Sequence, residues 1–319
     1  MNVLALFDGI SCGRVALERA GIKIDNYFSS EIDKWAIKVA QNNYPDTIQL
    51  GDIQNWKEWD LPQIDLIIGG SPCQGFSFAG KQLNFEDPRS KLFFDFVEVV
   101  NHYNPKYFLL ENVKMKKEYQ EVISGLLGVQ PIEINSSLMS AQNRVRLYWT
   151  NIPNAQVPED KGVVLSDILE PGLPSCGVGA RIVGRRLNEL GKREDYNKSI
   201  PIIQYLELRK DEKSNCLTTV YKDSVVPYFK TDKRLKIKFN QSKSSCLTGG
   251  GNSGGNHSDM DILVINPDIC RRYSVIECER LQTLPDNYTE GVSNSQRYKM
   301  LGNGWTVDII THLFRGMFI

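Results

Sequence analysis

Cys73 follows a proline in the run Ser71-Pro72-Cys73-Gln74, just past the apolar residues Ile67 and Ile68 and two glycines. A thiol in a loop leaving a buried strand is presented to a cleft, and as thiolate it is a nucleophile; the alternative is an inert buried side chain. Glu111 ends a second apolar run, in Leu110-Glu111-Asn112-Val113, where burial can keep a carboxyl group protonated and able to donate a hydrogen bond. Gln142-Asn143-Arg144-Val145-Arg146 sets two guanidinium groups at alternate positions, a pattern that by itself serves phosphate binding or a salt bridge. Upstream stand three acids, in Phe7-Asp8-Gly9, Ser30-Glu31-Ile32 and Gly51-Asp52-Ile53. Glycine permits close backbone approach to a ligand, and an acid about 20 residues beyond such a turn can hold two ribose hydroxyls; helix capping is the competing role for each acid.

Elements must bring these residues together. Apolar runs predict strands at 3–7, 27–30, 66–68, 107–110, 132–135 and 147–150. Helical spacing links Val15, Ala16, Arg19 and Ala20, then residues 35–44, then Leu92, Phe93, Phe96, Val99 and Val100. That alternation predicts an open, mostly parallel α/β sheet with helices on both faces, whose ligands lie beyond the carboxyl ends of the strands. From residue 151 prolines 153, 158, 171 and 174 and Ser/Asn/Gly-rich turns break the pattern, which predicts a smaller, strand-rich domain over 152–268. Within it Cys216-Leu217-Thr218 is echoed by Cys246-Leu247-Thr248. Val307, Ile310, Leu313 and Phe314 share a face of a last helix expected to return to the first domain, so 1–151 and 269–319 form one unit.

Gly249, Gly251 and Gly254 satisfy G-x-G-x-x-G, but His-Ser-Asp-Met-Asp follows instead of an amphipathic helix, so a loop is expected there and no dinucleotide site. Seven cysteines without a C-x-x-C pair, and only three histidines, argue against a disulfide framework or a metal site. No run approaches the roughly 18 apolar residues of a membrane helix, and the first residues lack a secretory pattern, so the expected location is cytoplasmic. The 319 residues carry 38 Lys+Arg against 38 Asp+Glu. That balance argues against a polyanionic partner until it is resolved by segment: residues 181–243 hold 16 basic and 8 acidic side chains, a basic stretch inside the second domain.

In order, Phe7-Asp8-Gly9, Glu31, Gly51-Asp52-Ile53, Pro72-Cys73-Gln74, Glu111-Asn112-Val113 and Gln142-x-Arg144-x-Arg146 resemble the DNA cytosine-5 methyltransferases. The likeness resumes in residues 272–282 and in Gly302-Asn303-Gly304-Trp305, and so covers essentially the whole chain. Phe7-Asp8-Gly9-Ile10 and Trp305 are nearest the animal de novo enzymes, Cys73-Gln74 and Arg280-Leu281-Gln282 the bacterial and phage members.

The resemblance implies a Rossmann-like S-adenosylmethionine-dependent fold with a target recognition domain, and methylation of cytosine C5 in double-stranded DNA without a metal. Cys73 would add to C6 of a flipped-out cytosine, Glu111 would meet N3 and the exocyclic amine, Arg146 would lie near O2, and Arg144 would support it. Phe7, Ile32 and Ile53 would wall the adenine, Asp52 accept from its amino group, Glu31 hold the ribose, and Gly9 make room for the methionine part, with Asp8 beside it in the cofactor site. Asn303 and Trp305 would complete the wall, and residues 74–89 would form a mobile loop over the base. Ser11 and Cys12 stand where many bacterial members have glycine. A monomer acting on DNA is expected, with a restriction endonuclease as candidate companion. The tRNA-methylating branch shares the chemistry but carries Cys-Phe-Thr where this chain has Cys-Leu-Thr; an inactive DNA-binding homologue would usually have lost the Pro-Cys or Glu-Asn-Val block.

Overall fold

A computed structural model describes residues 1–71, 88–173, 175, 179–186, 188, 192–209, 211–217, 224–227 and 270–318. Cys73, residues 74–87 and the glycine-rich run 249–254 lie outside them.

Strand β1 (Asn2–Leu6) is buried along almost its whole length and sits mid-sheet. Val3 and Ala5 face one apolar layer while Leu4 and Leu6 face the other, which is why the run reads as continuously hydrophobic. It pairs in parallel with β2 (Asn26–Ser30) on one side and β4 (Leu66–Gly69) on the other. β3 (Ile48–Gln49), too short to read from hydrophobicity, extends one edge; β5 (Tyr107–Val113), β6 (Ile132–Asn135) and β7 (Val145–Thr150) complete the order β3-β2-β1-β4-β5-β7-β6. β7 runs antiparallel to both neighbours.

Helices α1 (Cys12–Arg19), α2 (Lys34–Asn43), α3 (Pro88–Tyr103) and α4 (Lys117–Leu127) flank the sheet. α3 drives Phe93 and Phe96 into one layer, both fully buried. α4 is an addition to the expected helices; its signal was Tyr119, Ile123 and Leu127 at helical spacing, closed by Gly128 at φ 70°. Past a short helix, α5 (Leu165–Ile168), come β8 (Ala180–Arg185), β9 (Ile203–Leu208) and β10 (Ser224–Pro227), and β11 (Cys270–Arg272) completes a four-stranded antiparallel sheet in the order β11-β10-β8-β9. Ile152, Leu165 and Ile168 belong to the main core, beside residues of α6 (Val275–Leu281) and α8 (Val307–Arg315). α7 (Asn294–Asn303) leads into α8, which packs on α1 with Arg19 paired to Asp308 at 2.8 Å.

Candidate active site

The turns after β1, β2, β3 and β4 converge with β5, the approach to β7 and the α7–α8 turn around one cavity of about 450 Å³. Phe7, Asp8, Gly9, Glu31, Ile32, Asp52, Ile53, Asn303 and Trp305 all line it, as do Glu111, Arg144 and Arg146. Every expected site residue within the described chain therefore borders the same space.

The β1 turn is strained: Phe7 and Ser11 adopt φ 57° and 60° without being glycine, a cost typically met where a ligand must be approached. Asp8 holds that turn. Its carboxylate accepts from Ser11 Oγ at 2.6 Å, Tyr27 Oη at 2.8 Å and Ser29 Oγ at 2.9 Å. Burial pushes its pKa up to about 6 despite those three donors, with the nearby Glu31 charge adding to the rise. Asp8 thus lines the cavity with its carboxylate tied to Ser11 in the turn and to Tyr27 and Ser29 of β2. Glu31 accepts from Ile32 and Asp33 N–H on Oε1 and from Gly9 N–H at 2.8 Å on Oε2, which fixes the carboxylate and leaves acceptor capacity on Oε2. Capping is real for Asp52, whose Oδ1 accepts from Gln54 N–H at 3.0 Å; only a 3.5 Å contact from Gln54 Nε2 reaches Oδ2. Two carboxylates with acceptor capacity between the apolar walls of Phe7, Ile32 and Ile53 suit an adenine, its amino group and a ribose diol, so these residues fit S-adenosylmethionine.

Glu111 and Arg146 border the same cavity from β5 and β7. Glu111 was expected beyond its strand; it sits inside β5, because the antiparallel ladder with β7 continues past the apolar run to pair Val113 with Arg146. That register makes Glu111 and Arg146 diagonal neighbours on one face. Arg146 Nε donates to Glu111 Oε1 at 2.9 Å, and Trp305 Nε1 donates to Glu111 Oε2 at 3.1 Å. Both carboxyl oxygens accept hydrogen bonds here. Burial disfavours the Arg146 charge, yet Glu111 and other neighbours outweigh it and hold the guanidinium pKa above its ordinary value.

The spacing in Gln142-x-Arg144-x-Arg146 is a period of two that turns all three side chains to the interior. Gln142 Nε2 donates to the Leu281 carbonyl at 3.1 Å. Arg144 is 4% exposed and donates to the carbonyls of Leu217, Gly302 and Gly304 at 3.0, 3.2 and 3.0 Å. Its role is to hold backbone. Sequence reasoning missed the partners in this clamp: Gln282, fully buried, donates to Leu301 O at 2.6 Å and Gly304 O at 3.2 Å, and Leu217 N–H donates to Gln142 Oε1 at 2.9 Å. It also missed Asn112, which donates to Ser71 Oγ at 3.1 Å and so ties the strand bearing Glu111 to the residue two before Cys73. A polar side chain at the end of an apolar run was the available signal.

The basic stretch of the second sheet is partly neutralised from within. Arg181 and Arg185 grip the two oxygens of Glu207, and Arg186 donates to the carbonyls of Asp195 and Ile200. Lys233, Arg234, Lys236 and Lys238 lie outside the described residues.

The model of the C-5 cytosine-specific DNA methylases matches residues 1–124 and 134–318. Among curated proteins the chain is similar to the type II methyltransferase M1.ScrFI of Lactococcus lactis subsp. cremoris, 30% identical over 97% of this chain and 76% of that protein. It is also similar to the type II methyltransferase M.HhaI of Haemophilus parahaemolyticus, 26% identical over 98% of this chain and 93% of the relative. The orphan methyltransferase M.Rho11sI of Bacillus phage rho11s is 32% identical over 60% of this chain, which spans only 43% of that relative. Among solved structures, a mutant DNMT2 of Spodoptera frugiperda superposes with a TM-score of 0.63 at 20% identity, covering 100% of this chain and 99% of that one. A putative DNA modification methyltransferase of an E. coli prophage gives 0.60 at 19%, covering 100% and 98%; both share the fold. With the ordered blocks, the cavity and a family match spanning nearly every residue, the chain belongs to the C-5 cytosine-specific DNA methylases.

Proposed function

We propose that Cys73 is the nucleophile, Glu111 and Arg146 the groups that meet the target cytosine, and Phe7, Gly9, Glu31, Ile32, Asp52, Ile53, Asn303 and Trp305 the cofactor wall, with Asp8 and Arg144 holding that wall in shape. The reaction is that of the family: transfer of a methyl group to C5 of cytosine in DNA. The observation that carries the residue roles is one cavity in which the carboxylates of Glu31 and Asp52 stand across from the Glu111–Arg146 pair.

Cytosine C5 is a poor nucleophile. Addition of the Cys73 thiolate to C6 makes an enamine nucleophilic at C5, with Glu111 and Arg146 engaging N3, the amine and O2 to stabilise the charge that develops. The Arg146–Glu111 contact keeps both groups aimed before the base arrives. S-adenosylmethionine supplies an electrophilic methyl group when bound. Loss of the C5 proton and elimination of the thiolate then return the base to aromaticity. The base must leave the duplex first, at a cost of a few kcal/mol.

Residues 152–268 are the proposed target recognition domain, reading base edges in the major groove. We further propose action as a monomer in the cytoplasm of a bacterium or phage-infected host, with a restriction endonuclease as candidate companion; bacterial and phage relatives support this. Incubation with duplex DNA carrying 5-fluorocytosine and S-adenosylmethionine tests the nucleophile, since fluorine cannot leave as a cation and the adduct persists. Wild-type protein should form a covalent complex and Cys73→Ala none, while still binding cofactor. An adduct with Cys73→Ala would reassign the nucleophile.

A further inference from the structure

The cofactor wall and the base-binding carboxyl group touch through Trp305. Its indole N–H donates to Glu111 Oε2 at 3.1 Å, from a turn 194 positions further along the chain. Arg146, on a different element, takes Oε1 at 2.9 Å. A glutamate carboxyl rotates broadly about its last bond when one oxygen is held, and has a single orientation when both are. Two donors on two elements therefore define where the carboxyl plane faces.

The surroundings are shaped for this pair. A Cβ added to Gly70 would lie 3.0 Å from Glu111 Oε2 and 3.0 Å from Trp305 Nε1, so any side chain there would wedge between donor and acceptor. Gly70 has no left-handed backbone to explain it; its use is space. The indole is also fixed from behind. Its ring lies 3.4 Å from the position of a Cβ on Gly13, and the carbonyl of the adjoining Gly304 accepts from both Arg144 and Gln282. A wall for an adenosyl group would need only the ring face and would leave the N–H without a purpose.

We infer that Trp305 is a positioning residue for Glu111 as well as part of the cofactor wall: its N–H, with Arg146, sets the direction in which the carboxyl meets the cytosine. The inference rests on the proposed roles of Cys73 and Glu111.

One step isolates it from cofactor binding. When the Cys73 thiolate adds to C6, the C6–S bond forms and C5 takes a proton from solvent. Loss of the original C5 hydrogen to water and expulsion of the thiolate then regenerate cytosine, so a label at C5 is released with no methyl donor present. The probe is a random-sequence duplex tritiated at cytosine C5, without cofactor. Trp305→Phe keeps the ring and removes the donor; Gly70→Ala crowds the same contact from the other side. Both should release tritium about tenfold more slowly than wild type, the effect of one hydrogen bond to a charged group. A thermal melt would verify the fold of Trp305→Phe. Release by Trp305→Phe within about threefold of wild type, whatever its cofactor affinity, would overturn the inference. Release by wild type no faster than by Cys73→Ala is a different pattern; it would sink the reading of Cys73 and Glu111, and this inference with it.

Discussion

Arg144 Nη1 donates to the Leu217 carbonyl at 3.0 Å, joining residues 73 positions apart: one at the threshold of β7, the other beyond the second sheet's β9. The same guanidinium holds the Gly302 and Gly304 carbonyls, so one buried cation ties three segments together.

Arg144→Ala should therefore destabilise the protein by about 2–4 kcal/mol, since several enclosed carbonyls lose their donor. Urea unfolding measures this, and S-adenosylhomocysteine affinity should fall with it as the Gly302–Trp305 turn loosens. Arg144→Lys, a single-point donor, should recover only part. A loss below about 0.5 kcal/mol would mean that the three segments are held by other contacts.

Asp8 gives the fold an unusual pH dependence. Its folded pKa of about 6 lies above the ordinary 3.8, so the folded state binds the proton more tightly than the unfolded chain. The carboxyl consequently costs stability when ionised: about 3 kcal/mol in full above pH 6, shrinking as pH falls and gone below about pH 4. Asp8→Asn removes the charge, and its amide can donate to the Ser11 and Ser29 hydroxyls while its oxygen accepts from Tyr27. The variant should be the more stable at pH 7.5, with roughly half that advantage at pH 5, in denaturant titrations of both proteins. An advantage independent of pH would refute a buried charge as its source.

Arg185 is 15% exposed on its side chain and bound to Glu207, so Arg185→Ala should lower stability without changing how DNA affinity depends on salt. Replacing Lys233 and Lys236 together by neutral residues should reduce that dependence, with the logarithmic slope falling by up to about 2. A flattened slope for Arg185→Ala would place Arg185 on phosphate instead.

What the sequence made legible was the set of positions at strand ends. Phe7 and Glu31 follow strands that the sequence announces, and a parallel sheet carries such ends to a common edge; Asp52 follows β3, too short to read, and Glu111 lies inside β5. The division of labour among them was less visible. Asp8 and Glu31 look alike in sequence, and each accepts three hydrogen bonds; Asp8 takes them from side-chain hydroxyls and Glu31 from backbone N–H groups, a difference that depends on Tyr27 and Ser29 facing the β1 turn. Arg144 and Arg146 likewise share a motif, yet one is buried against carbonyls and the other meets a carboxylate. The partners that decide this, Leu217, Gly302 and Gly304, are remote in sequence, and no local pattern announces them.

β7 enters the sheet reversed, and that reversal gives the Gln142–Arg146 stretch the properties of a ruler. Arg146 and Glu111 are aligned by ladder rungs, not by a loop that can stretch. Inserting one residue between Arg144 and Arg146 would leave the composition and the charge almost unchanged but, with Arg146 held in its rung opposite Val113, turn Arg144 away from the carbonyls of Leu217, Gly302 and Gly304. Deleting one would do the same. In a mutational scan of length, the chain should thus tolerate a change at the 128–131 turn far better than a change between these two arginines: spacing there is information, and it is read modulo two.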